Sequence, residues 1–156
     1  MGKILIVYYS RSGNTEKMAH LVEEGVAEEG AEVTVKSVGD VKAEELLDHD
    51  ALIFGSPTYY GTMAFEMKRL LDESVKIHGK LTAKVGAAFS SSANVGGGNE
   101  TTVLDILKAF LIHGMIIQGD AEGDHYGPVS IGKPDKRAGE ECRRLGKRIA
   151  RLVNSL

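Results

Sequence analysis

The sequence predicts an α/β fold: a doubly wound parallel sheet of five strands with helices on both faces. Three observations predict it. Short apolar runs alternate with stretches of helical periodicity along the whole chain, the central runs are apolar at consecutive positions, and glycines cluster at segment ends. A strand buried on one face alternates polar and apolar residues; an uninterrupted apolar run belongs to a parallel sheet covered twice. The 156 residues are the size of one domain, residues 1–156, long enough to bury a core without a disulfide or metal staple.

The elements follow in order. Lys3 to Tyr9 reads as the first strand, around the run Ile4-Leu5-Ile6-Val7. Thr15 to Glu29 reads as a helix with Met18, Leu21, Val22 and Val26 on one face. Glu32 to Lys36 alternates as a strand with one exposed face, and a short helical piece runs from Ala43 to Leu47. Ala51 to Gly55 is the third strand. Phe65 to Val75 is helical, with Phe65, Met67, Leu70 and Leu71 in register. Lys84 to Phe89 is the fourth strand, and Thr101 to His113 a helix with Val103, Leu104, Leu107 and Leu111 inward. Met115 to Ile117 is the fifth strand, and Asp135 to Leu152 the closing helix. Pattern alone leaves the strand order open.

Composition narrows the function classes. The formal net charge of −3 gives no electrostatic footprint for nucleic acid. No apolar run is long enough to span a membrane or to serve as a signal peptide, so no membrane partner is expected. Cys142 is the single cysteine and has no metal-ligand spacing around it, so a reducing, cytoplasmic setting is expected.

Ligands of open parallel sheets bind outside the carboxyl ends of the strands. Three strand ends here are chemically unusual. After the first strand, Ser10, Arg11, Ser12, Gly13, Asn14 and Thr15 place hydroxyls, a cation and a turn glycine at a helix N-terminus. Free amides and the helix dipole there favour a phosphate, although Ser12 or Thr15 alone would also serve as an ordinary cap. It is neither a Walker loop nor a three-glycine dinucleotide fingerprint. After the third strand come Pro57, Thr58, Tyr59, Tyr60 and Gly61. The tyrosines either pack normally or offer a flat face to a ring. After the fourth strand, Ser91, Ser92, Ala93, Asn94, Gly96 and Gly97 either form a flexible loop or present backbone amides to a ligand's polar edge. Together the three describe a site for a phosphate joined to a flat ring.

That combination resembles the flavodoxin-like superfamily, and within it the tryptophan-repressor-binding-protein type of NAD(P)H:quinone oxidoreductase. The matching motifs are Ile6 to Thr15; Ile53-Phe54-Gly55-Ser56-Pro57-Thr58 with Gly61 and Met67; Phe89-Ser90-Ser91 with Gly96-Gly97-Gly98 and Glu100; and His113-Gly114-Met115. The resemblance implies the strand order 2-1-3-4-5 and FMN as cofactor. It places the phosphate in Ser10–Thr15, the isoalloxazine beside Thr58, Tyr59 and Tyr60, and the ring's pyrimidine edge against residues 91–97. It also implies NAD(P)H and a quinone-like acceptor as partners, and a homo-oligomer. The chain departs from the family where Ile112 replaces a histidine that reaches the flavin site in relatives. Residues 71–81 and 119–133 are also shortened. These departures bear on the acceptor site and the family's tetramer rather than on the FMN site.

Two functions fit: an FMN-dependent NAD(P)H:quinone oxidoreductase, and an FMN electron carrier between protein partners. The third loop has no aromatic to cover the ring, and the mild net charge lacks a carrier's strongly acidic face. Both favour the enzyme.

Overall fold

The computed structural model describes residues 1–156. The elements are β1 (Lys3–Tyr8), α1 (Asn14–Glu28), β2 (Glu32–Ser37), β3 (Ala51–Tyr59), β4 (Thr62–Met63), α2 (Phe65–Glu73), β5 (Val85–Ser92), α3 (Asn99–Ile112), β6 (Ile116–Ile117), β7 (Val129–Ile131) and α4 (Lys136–Ser155). Short 3-10 turns occupy Ala43–Asp48 and Ser74–Ile77.

The parallel strands run in the order β2-β1-β3-β5-β6, which is the expected order with β4 numbered in. Ile4 stands opposite Val33 of β2 and Ala51 of β3, and Ile53 stands opposite Ala87 of β5. The chain leaves β1 for one edge and returns through β3 to the other. The switch point therefore lies between the ends of β1 and β3.

Two apolar layers sandwich the sheet. One packs Ile4, Ile6, Ile53 and Phe89 beneath α1 and α4, through Met18, Val22, Leu145 and Ile149. The other packs Leu5, Val7, Leu52 and Phe54 beneath α2 and α3, through Met67, Leu70, Ile106 and Phe110. The α1–α4 contact is close enough to need glycine. A Cβ on Gly25 would meet the Arg143 carbonyl oxygen, and one on Gly146 the Val22 carbonyl oxygen.

Several expectations need correction. β3 and β5 run on past Gly55 and Phe89, so Pro57–Tyr59 and Ser90–Ser92 are strand rather than loop. A hairpin strand, β4, pairs with the tip of β3. The fifth strand is split: β6 pairs with the start of β5 and β7 with its end, Ser91 opposite Ser130. Leu111 and Phe65 are 58% and 71% exposed. The inward face of α3 is Thr102, Val103, Ile106, Leu107 and Phe110, and Leu111 lies past its edge. Phe65, first residue of α2, lies off the Met67–Leu70–Leu71 face.

Candidate functional site

The ends of β1, β3 and β5 converge on one cleft of about 230 Å3. It is lined by ten of the expected residues: Arg11, Ser12, Asn14, Thr15, Pro57, Thr58, Tyr59, Ser91, Ser92 and Ala93. Gly132, which follows β7, also lines it and was missed. The pair Ile131-Gly132 was the only signal of it in the sequence.

The first loop is built around Gly13, whose φ of 97° lies in the left-handed region that glycine tolerates best. Its N–H donates to Ser10 Oγ at 3.1 Å. No side chain caps α1. The first-turn amides have no partner within the helix, so they remain available. Arg11 and Ser12 are exposed, Asn14 is half-buried, and Thr15 is buried.

Side-chain hydroxyls fix the three loops relative to one another. Thr15 Oγ1 and Ser91 Oγ are hydrogen-bonded at 2.9 Å, joining α1 to β5. Thr58 Oγ1 bonds Ser90 Oγ at 3.0 Å and accepts from Thr102 Oγ1 at 3.0 Å, joining β3, β5 and α3. Thr101 Oγ1 reaches the carbonyls of Gly61 and Gly98 at 2.7 and 2.8 Å, pinning the β3–β4 hairpin against α3.

At that hairpin's tip Tyr60 has φ of 49° and is fully exposed, with Gly61 following at φ 83°. Left-handed backbone is costly for a tyrosine, and here it holds the phenol outward. Tyr59 is half-buried and meets the Tyr9 ring edge-on, centroids 6.3 Å apart.

The loop after β5 is a structured turn rather than a floppy one. Asn99 Nδ2 donates to Ser92 Oγ at 3.0 Å, Ser92 Oγ to the Asn94 carbonyl at 3.1 Å, and Gly97 N–H to the same carbonyl at 3.2 Å. Ala93, Asn94 and Gly96 are exposed around it. Ser10, Gly13, Tyr60, Gly61, Asn94, Gly96 and Gly97 are thus placed around the cleft rather than in its wall.

The donor set fits an anion joined to a polar-edged ring. Six hydroxyl groups, an asparagine and one arginine line the cleft, and no carboxylate does. Gly13 leaves open space where a Cβ would stand.

Several reactive side chains lie outside the cleft lining. Ile112 and His113 close α3 at the end opposite the cleft, about 21 Å along a 14-residue helix. His113 is buried, bonds Ser74 Oγ at 2.7 Å, and burial lowers its pKa. His125 is tied to the Asp120 carbonyl at 2.7 Å. Cys142 lies in the core, where burial pushes its thiol up to about 12, so it is no nucleophile.

No helix is long and apolar enough to cross a membrane. The flavodoxin family model matches residues 6–108. A flavodoxin of Aquifex aeolicus is 42% identical, over 98% of this chain and 88% of its own. An NAD(P)H dehydrogenase (quinone) of Archaeoglobus fulgidus is 37% identical, over 100% of both chains. The solved flavodoxin, WrbA-like protein from Agrobacterium tumefaciens superposes with a TM-score of 0.85 at 26% identity, over 99% of each chain.

Proposed function

Because this chain belongs to the flavodoxin family, whose cofactor is FMN, we propose that it is an oxidoreductase passing electrons from NAD(P)H through FMN to a quinone or similar small acceptor. Bound FMN would supply the redox chemistry, a ring that accepts a hydride and returns two electrons. The protein positions and polarises it, and no side chain is assigned a catalytic role.

The loop Ser10–Thr15 and the uncapped amides of α1 hold the phosphate, with Arg11 matching its charge. Pro57, Thr58 and Tyr59 border the ring on one side, and Tyr60 and Gly61 stand just outside that wall at the hairpin tip. The turn Ser91–Gly97 faces its polar edge with backbone amides. The Thr15–Ser91 and Thr58–Ser90 bonds hold these walls at fixed separation, so little ordering remains when the cofactor enters.

The observation that carries the enzyme reading is Ala93. It lines the cleft, is exposed, and sits in a turn that holds no aromatic side chain. A flat donor or acceptor therefore finds stacking space on that side. The full-length likeness to the Archaeoglobus NAD(P)H dehydrogenase (quinone) supports the same reading. The likeness to the Aquifex flavodoxin supports a second one, electron transfer between protein partners.

The setting is cytoplasmic and the protein acts as a homo-oligomer. The exposed side chains of Val75, Leu111 and Ile112 support self-association; sedimentation showing only monomer at micromolar concentration would remove that part. Donor and acceptor share one stacking space in this arrangement, so steady-state rates should follow a ping-pong pattern, each substrate inhibiting competitively in excess. Intersecting double-reciprocal lines would instead mean two separate sites.

A further inference from the structure

The FMN cleft leaves a larger concave surface unexplained, a groove of about 800 Å3 along the outer side of α4. One helical stripe faces it, Arg143, Arg144, Lys147, Arg148 and Arg151, against only two carboxylates, Asp120 and Glu140. Leu152 is its single hydrophobic side chain. The stripe runs toward Val153 and Asn154, and Asn154 Oδ1 accepts from Gly2 N–H at 2.9 Å. That is the end of the sheet opposite the cleft.

Four of the five cations have close acidic partners. Arg143 Nε donates to Glu24 at 2.6 Å, Lys147 pairs with Glu28 at 2.5 Å, and Arg151 Nη2 donates to Glu29 at 2.7 Å. Arg144 holds both oxygens of Asp120 at 2.8 Å and reaches Glu122 at 2.9 Å.

Arg148 is the exception. Its side chain is 16% exposed, and its nearest carboxylate oxygen, Asp120 Oδ2, stands 3.7 Å away and already accepts from Arg144. Its Nε and Nη1 are buried without any hydrogen-bond partner. A guanidinium carries five N–H donors and does not shed its charge. Arg148 thus lines the groove with two donors that have no hydrogen-bond partner, and shares its one nearby carboxylate with Arg144.

We infer that this groove binds a phosphate-bearing small molecule, with its phosphate on Arg148 and with Arg144 and Lys147 alongside. The planar fork of arginine matches phosphate oxygens two at a time, and Arg148 has donors to spare. The nearly complete lack of apolar lining leaves no anchor pocket for a protein partner's hydrophobic side chains. Gln118 and Ser155 add neutral hydrogen-bonding groups for the rest of such a molecule. The inference is independent of the redox reading, since the groove and the cleft share no residue.

The test uses FMN-loaded protein, so that the cofactor's own phosphate fills the cleft. Inorganic pyrophosphate is titrated calorimetrically at about 0.15 M salt, where exposed charges are well screened. Saturable one-site binding is expected, with flavin absorbance unchanged. Arg148→Gln should weaken it at least tenfold; Arg148→Lys, which keeps the charge but not the fork, should weaken it less. Glu140→Gln should tighten it. AMP binding tighter than pyrophosphate would place the phosphate on a nucleoside, and the reverse order would indicate a free polyphosphate; either supports the site. Absence of saturation at millimolar pyrophosphate, an Arg148→Gln protein that is folded and binds equally well, or preference for a poly-glutamate peptide would overturn it.

Discussion

Thr15 Oγ1 and Ser91 Oγ lie 2.9 Å apart with both side chains buried, so the loop after β1 and the end of β5 are held as one unit. Removing one hydroxyl from a buried pair strands the other, a cost of about 1–3 kcal/mol. Thr15→Val or Ser91→Ala should therefore weaken FMN binding by roughly 5- to 150-fold. The double variant should be little worse than the poorer single one, because the two changes break the same bond. Fluorescence titration reads all three, and full additivity would mean that the two hydroxyls act separately.

FMN should bind much more tightly than riboflavin. In the proposed arrangement the phosphate is the part met by Ser10–Thr15 and the uncapped α1 amides, and each charge-assisted bond lost would remove about 1.5–3 kcal/mol. Competition between the two flavins at equilibrium measures the ratio. Equal affinities would remove the phosphate from that loop.

Ala93→Trp should suppress NAD(P)H-dependent turnover far more than it weakens FMN binding. The new ring fills the stacking space beside the cleft and leaves the first loop untouched, and misplacing a reactant by about 1 Å already costs on the order of 100-fold. Gly97 is a poorer position for this test, since a Cβ there would meet the Asn94 carbonyl oxygen at 2.9 Å. Turnover and flavin affinity falling in parallel would argue against an open stacking face.

Asp120 sets an acid dependence of stability. Bonds from Arg144, chiefly, hold its carboxyl at about 2 in the folded protein. A depressed pKa contributes stability above the unfolded value, near 4 for aspartate, and the contribution is lost as pH falls toward 2. Asp120→Asn should therefore be less stable than the parent at pH 7, with the difference shrinking between about pH 4 and 2. Denaturant midpoints across that range test it. A constant difference would assign the effect to something other than this carboxylate.

The sequence revealed the sheet, the helices and the cleft because each rests on local patterns. The runs Ile4–Val7 and Ala51–Phe54 are apolar throughout and are fully buried. The loop Ser10–Thr15 carries more donors than a cap uses. What stayed hidden depends on tertiary contacts. β7 is three residues between Pro128 and Gly132, too short for a period, and it exists because Ser90–Ser92 offer it an edge. Leu111 is apolar and correctly spaced from Leu107, yet α3 turns it past the rim of the core. The residues after Ser92 looked floppy in composition, and only the side chains of Ser92 and Asn99 make them a defined turn.

The central claim is that bound FMN takes electrons directly from a nicotinamide on the open Ala93 side. It is tested most directly by mixing FMN-loaded protein with NADH or NADPH under anaerobic conditions and following the flavin absorbance. Rapid bleaching with at least one of them, reversed on adding a quinone, is the predicted result. A flavin that stays yellow with both, yet is reduced by dithionite, would contradict it and leave electron transfer between proteins as the function.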